Sequence, residues 1–183
     1  MKKIVVILSL GVALLAQNAR AADGSVNFTT IGGANGQAFG TDGLAVDDTV
    51  KGQVFFGANA GALAAFGSIH NFTQQTGFIF AGTVSGSGTT PGATGVYEIR
   101  AWEGTFASYD AAVSGGGKFG NSFDHVTSGQ TAVRPTITLG GDAFNFPPDL
   151  NSHANFALVP EPTTMVLGLM GLGGLVAARR RQK

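Results

Sequence analysis

Apolar residues in this chain alternate with polar ones in short runs, and glycine-rich turns separate the runs. "SVNFTT" sets Val26 and Phe28 against Asn27 and Thr29. Further runs are "TVKGQVFFG", "FGSIHNF", "GFIFAGTV", "VYEIRAWEG", "SFDHVTS", "AVRPTITLG" and "NFALV". Between them lie "GGANG", "TDG", "SGSGTTPG", "SGGGKFG" and "GGDAF". A period of two places one face of a strand in a core and the other in water. Several such strands with turn signals between them predict an all-β body, a β-sandwich of jelly-roll-like type. Only "SYDAAV" reads as helical, for about one turn. The 29 glycines and 6 prolines are about a fifth of 183 residues, short of the roughly one quarter at which a chain reads as structureless. Fourteen phenylalanines supply the apolar volume of a core.

Charge is segregated along the chain, although the formal total is zero. Lys2, Lys3 and Arg20 lie at one end; Arg179, Arg180, Arg181 and Lys183 lie at the other. Between them are only Lys51, Arg100, Lys118 and Arg134, against ten acids from Asp23 to Asp149. An acidic body without a basic stripe cannot neutralise a row of phosphates, which argues against nucleic acid as a partner. There is no cysteine, so disulfides, thiolate nucleophiles and cysteine-based zinc sites are excluded.

The two basic tips each adjoin an apolar segment. Residues 1–21 have the layout of a secretory signal peptide: Lys2 and Lys3, an apolar run over 4–16, then Ala19-Arg20-Ala21 as the small-x-small pattern for signal peptidase. At the other end, 163–178 is predicted as a transmembrane helix. Sixteen residues at 1.5 Å each reach about 24 Å, a little under the ~30 Å hydrocarbon core, which local thinning accommodates. The basic tail 179–183, with Arg179, Arg180 and Arg181, then stays cytoplasmic as an anchor. The body is predicted over 22–150, with 151–158 as a spacer. Val159-Pro160-Glu161-Pro162 follows the spacer, where the chain meets the outer leaflet. Each proline fixes its own φ and holds the preceding residue extended, which suits a protease cleft.

The order Pro-Glu-Pro, apolar span, terminal arginine cluster resembles the PEP-CTERM sorting signal of Gram-negative bacteria. The resemblance covers 159–183; Thr163-Thr164 stands where the family has a serine-threonine or similar pair. It implies processing near the motif by an exosortase, an integral membrane cysteine transpeptidase-like enzyme. The precursor is then held in the inner membrane, and the mature form is released or attached outside the cell. Such proteins are often found in bacteria that make exopolysaccharide and biofilm.

Catalytic patterns are sparse. No Gly-x-Ser-x-Gly elbow occurs, and His70, His125 and His153 are scattered, without the pairing of a helical zinc site. Glu98 and Glu103 lie five residues apart in one predicted strand, hence on opposite faces. Asp42, Asp47 and Asp48 crowd one loop, but no EF-hand or glycine-rich nonapeptide frames them, and no metal or cofactor is expected. In "VYEIRAWEG", Glu98, Arg100 and Trp102 share a face. Arg100 is placed between the Glu98 carboxylate and the Trp102 ring. Trp102 is then either an exposed platform for a sugar or a cap over the sandwich. The reading that follows is a non-enzymatic structural or adhesive component of the cell surface or matrix. A carbohydrate-binding module that holds exopolysaccharide through Arg100 and Trp102 is the alternative, and a secreted hydrolase is a third.

Overall fold

The computed structural model describes residues 23–160, apart from 32–35, 74–75 and 143. The regular elements of the body are almost all strands. In chain order these are β1 (Ser25–Thr29), β2 (Ala38–Phe39), β3 (Val50–Gly57), β4 (Ala64–Asn71), β5 (Phe80–Ser85) and β6 (Thr94–Glu103). After a short helix, α1 (Tyr109–Ser114), come β7 (Phe119–Asn121), β8 (Thr136–Thr138) and β9 (Phe156–Ala157). A single 3-10 turn, Ala60–Ala62, sits between β3 and β4.

The largest sheet runs β4-β3-β6-β7, and β8 pairs with the other end of β6. β1 pairs with β5 antiparallel, and β2 pairs with β9 in parallel. One core joins all three sheets. Val26 and Phe28 of β1 and Val84 of β5 meet Val54 of β3 and Tyr97, Ile99 and Ala101 of β6. Phe156 of β9 and Leu139, Leu150 and Leu158 complete it. The all-β class expected from the period-two pattern is therefore what the chain adopts.

Three expectations are corrected. Residues 151–158 are not a spacer but part of the body, with His153, Ala154, Phe156 and Leu158 all buried. "SFDHVTS" is not a strand. The Asn121 Oδ1 accepts the backbone N–H of Phe123 and of Asp124, at 3.0 and 2.6 Å, and closes β7 into a turn. The strand is β7 itself, starting inside a stretch that reads as a glycine turn. The third correction concerns the stacking of Arg100 on Trp102 and is given with the site. The signal helix over 1–21 and the transmembrane helix over 163–178 lie outside the described residues. Among the described residues, no helix is long and apolar enough to cross a membrane.

Candidate functional site

The sorting motif begins where the chain leaves the sheet. Leu158 is buried, and its N–H donates to the Phe39 carbonyl at 2.8 Å. Val159 pairs with Phe119 on the edge of β7 through both of its backbone groups, at 2.8 and 3.1 Å. Pro160 is exposed and has no N–H to continue the ladder, so pairing stops there. Val159 is thus extended, as a residue before proline should be. Glu161, Pro162, Arg179, Arg180 and Arg181 lie outside the described residues, as do Ala19 and Ala21. Peeling 158–159 from the body would expose a buried leucine and break three backbone hydrogen bonds, a cost of roughly 4 kcal/mol. The junction is therefore a firm end of the fold, with no slack before Pro160.

Beside this junction lies a groove of about 180 Å³, lined by Thr41, Leu44, Asp47, Glu103, Lys118 and Leu158 among others. Its wall is the tight turn that follows β2. The Gly40 N–H donates to the Leu44 carbonyl at 2.7 Å, and the Asp42 Oδ1 accepts the Leu44 N–H at 3.0 Å. Gly43 takes φ +76, a left-handed conformation that favours glycine. The Asp47 Oδ1 accepts from both the N–H and the hydroxyl of Thr49, which holds its carboxyl below the usual range. Asp42 and Asp47 thus serve as turn caps. Among the described residues, no three His, Cys, Asp or Glu side chains are grouped to hold a metal ion.

Arg100 and Trp102 do not form a platform. Trp102 is fully buried, and its Nε1–H donates to the Phe106 carbonyl at 3.0 Å. It belongs to a second core with Tyr109, Ala112 and Phe119, formed because α1 folds over that face of β6. Ser108 caps the helix, its Oγ accepting the Ala111 N–H at 3.1 Å. Nor does Arg100 stack on Trp102. It lies 3.9 Å from the centre of the Phe55 ring and 5.1 Å from that of Tyr109. The register explains this: Phe55 stands opposite Glu98, one diagonal step from Arg100. The expected Glu98–Arg100 ion pair is present at 2.6 Å, and Arg134 adds a second at 2.7 Å. Arg134 stacks on Phe123 in turn. Glu98 is fully buried beneath these two partners.

The histidines are spread through the body. The His153 ring is in the core, its Nδ1–H donating to the Ala154 carbonyl at 2.9 Å. Burial pushes its imidazole down to about 4. His125 is also held below its usual value by burial. His70 shares a hydrogen bond with the Ser68 hydroxyl at 2.9 Å on β4.

The body has a second groove that alternation does not predict. The outer face of the β1–β5 pair carries a groove of about 390 Å³ lined by Asn27, Ile31, Phe80, Thr83 and Asp149. Phe80 is 69% exposed there. A hydrogen-bond chain runs from the Thr83 hydroxyl to the Asn27 Oδ1 at 2.9 Å, and from the Asn27 Nδ2 to the Asp149 Oδ1 at 3.2 Å. Strict alternation along "GFIFAGTV" would turn Phe80 inward with Val84. Instead the register shifts between Asn27 and Thr29, so that Phe80 stands opposite Thr29. Gly82, at φ +74, absorbs the extra residue. That glycine, two places after an apolar residue, was the available signal.

The family model described as the PEP-CTERM protein-sorting motif matches residues 158–182. The match starts at Leu158, the last buried residue of the body, and spans the Val159 to Pro162 motif and the arginine cluster. No curated protein and no solved structure matches the chain significantly. The motif indicates an exported protein that an exosortase processes at the cell envelope.

Proposed function

We propose that this exosortase substrate is a non-enzymatic component of the cell surface or extracellular matrix of a Gram-negative bacterium, with a structural or adhesive role in exopolysaccharide or biofilm. Its body is read as a jelly-roll-like sandwich, its precursor as an inner-membrane protein, and its mature form as what remains after the tail is removed. The observation that carries the reading is the joining of a sorting motif, without a spacer, to a β body in which Glu98, His153, Asp42 and Asp47 serve packing and turns. Glu98 is committed to two arginines, His153 to the core, and Asp42 and Asp47 to turns.

The test is made in the native host. Deleting the exosortase gene should leave the full-length chain in the membrane fraction. Deleting the gene for this protein should weaken matrix cohesion without changing hydrolysis of matrix polysaccharide. Wild-type cohesion in the second strain overturns the structural role.

A glycan-binding role is the second reading, and the outer-face groove favours it. An exposed ring beside an amide, a hydroxyl and a carboxylate is the set of groups that stacks on a pyranose and bonds its hydroxyls. Phe80, and not Trp102, would be the stacking ring. Pull-down of the purified body on host exopolysaccharide should then weaken at least tenfold on Phe80→Ala. No retention of the wild-type body removes this reading.

A further inference from the structure

The end of the body and the start of the membrane segment are separated by very little chain. Val159 is fastened to β7 and Leu158 is buried, so Pro160 is the first residue free of the sheet. From Pro160 to Thr163, where the predicted membrane helix begins, are three residues. Even fully extended they span only about 10 Å. A folded domain of 100 residues has a radius of gyration of about 13 Å, more than that span. No catalytic domain can therefore close on Glu161 without touching the body.

We propose that the groove beside the junction is a contact surface for the exosortase, read together with the motif itself. This rests on the sorting reading above. Two observations select this face. The turn over 40–44 follows directly from Phe39, whose carbonyl holds Leu158, so the turn is hooked to the strand that leads out. At its closing end Leu44 is 68% exposed, an apolar side chain presented within a groove that Leu158 also lines. The turn's internal hydrogen bonds hold Leu44 in place before any partner arrives, which lowers the entropy lost on contact. The occupant is the outward-facing part of the processing enzyme, because it alone must come within a few residues of Pro160 in every molecule processed. The body thereby contributes to substrate choice beyond the three residues of the Pro-Glu-Pro motif.

The experiment follows processing of the full-length precursor, co-expressed with its exosortase, by pulse-chase and intact mass. Leu44→Asp and Thr41→Tyr both alter exposed side chains. Both are made in the native chain and in one carrying Gly-Ser-Gly-Ser-Gly-Ser-Val inserted after Val159. The insertion keeps Val159 on the sheet, restores a valine before Pro160, and moves the body away. In the native chain, each variant should slow processing at least fivefold; in the inserted chain, less than twofold. Unchanged processing of both variants in the native chain overturns the proposal. So does equal slowing with and without the insertion, which would place the effect somewhere other than a contact. Glu161→Ala serves as the reference and should leave the tail in place. If that chain is cut as fast as wild type, the sorting reading falls and takes this proposal with it. Neutral Leu44→Asp and Thr41→Tyr alongside a blocked Glu161→Ala sink the contact surface alone.

Discussion

At the scale of single residues, His153 couples the core to pH. Its ring meets Tyr97 edge-on at 6.3 Å and packs against Phe156, and its Nε2 has no hydrogen-bond partner among the described residues. A proton there would place a charge in an apolar setting, which is why the folded form titrates at about 4. An unfolded chain takes up that proton near pH 6.5. Between these values the unfolded state binds more protons, so stability is full above pH 6.5 and falls as pH drops towards 4. At pH 4.5 the loss relative to pH 7 should be ~2–3 kcal/mol, read as a lower urea midpoint. In His153→Phe most of that dependence should vanish. His125, shifted the same way, keeps a smaller remainder. A variant that keeps the full pH dependence would assign it elsewhere. The burial was not legible beforehand: "NSHANF" reads as polar, and the ring is interior only because 150–158 crosses the core. Platform and cap stayed open for Trp102 for a similar reason. Alternation correctly placed it opposite Ala101, but whether that face is open depends on α1.

At the scale of elements, two bulges shape the sheets. Between the pairs Gly52–His70 and Val54–Phe66, three residues of β4 stand against one of β3, and Gly67 sits in that gap at φ +70. The Gln53 side chain crosses to donate to its carbonyl at 2.9 Å. On β5, Gly82 does the corresponding work and turns Phe80 outward. A Cβ at Gly82 would meet nothing within 4 Å, so a substitution there tests backbone strain alone. Gly82→Ala should cost ~1 kcal/mol, seen as a lower thermal midpoint with the sheet content unchanged. A neutral result would mean that the strand re-registers at no cost. Most strands were legible from alternation: β1, β3, β4, β5 and β6 coincide with the runs read from the sequence. The short β8 and β9 also fall within "AVRPTITLG" and "NFALV". β2 and β7 were not legible: at two and three residues outside any such run, they carry too few alternations to show a period. They exist because partners in distant parts of the chain offer them hydrogen bonds.

At the scale of the whole molecule, the body ends where the sorting motif begins. Ala154, Phe156 and Leu158 are buried with Leu150. Each large side chain among them contributes ~1.5–3 kcal/mol of burial, and a domain has only ~5–15 kcal/mol in total. A fragment over 23–150 should therefore lack a cooperative unfolding transition, whereas one over 23–160 should show it by circular dichroism. A cooperative transition in the shorter fragment would restore the spacer. The firm end also has a consequence for processing: a cut after Pro160 leaves Leu150, Ala154, Phe156 and Leu158 in the body, so the product should be as stable as the precursor's body.

The period-two alternation, the absence of cysteine, the segregated charge and the order of the last residues are local properties. They were sufficient for an all-β exported chain with a sorting tail, because each is read from neighbours in sequence. Which tryptophan face is covered, which histidine is dry, which ring reaches solvent and how closely the motif abuts the body were settled only by packing. Each of those depends on contacts between residues far apart along the chain: α1 over β6, 150–158 across the core, a glycine absorbing one residue on β5, and Val159 bonded to Phe119. A linear pattern states which side chains prefer to be buried; only the closed fold decides which of them find a place.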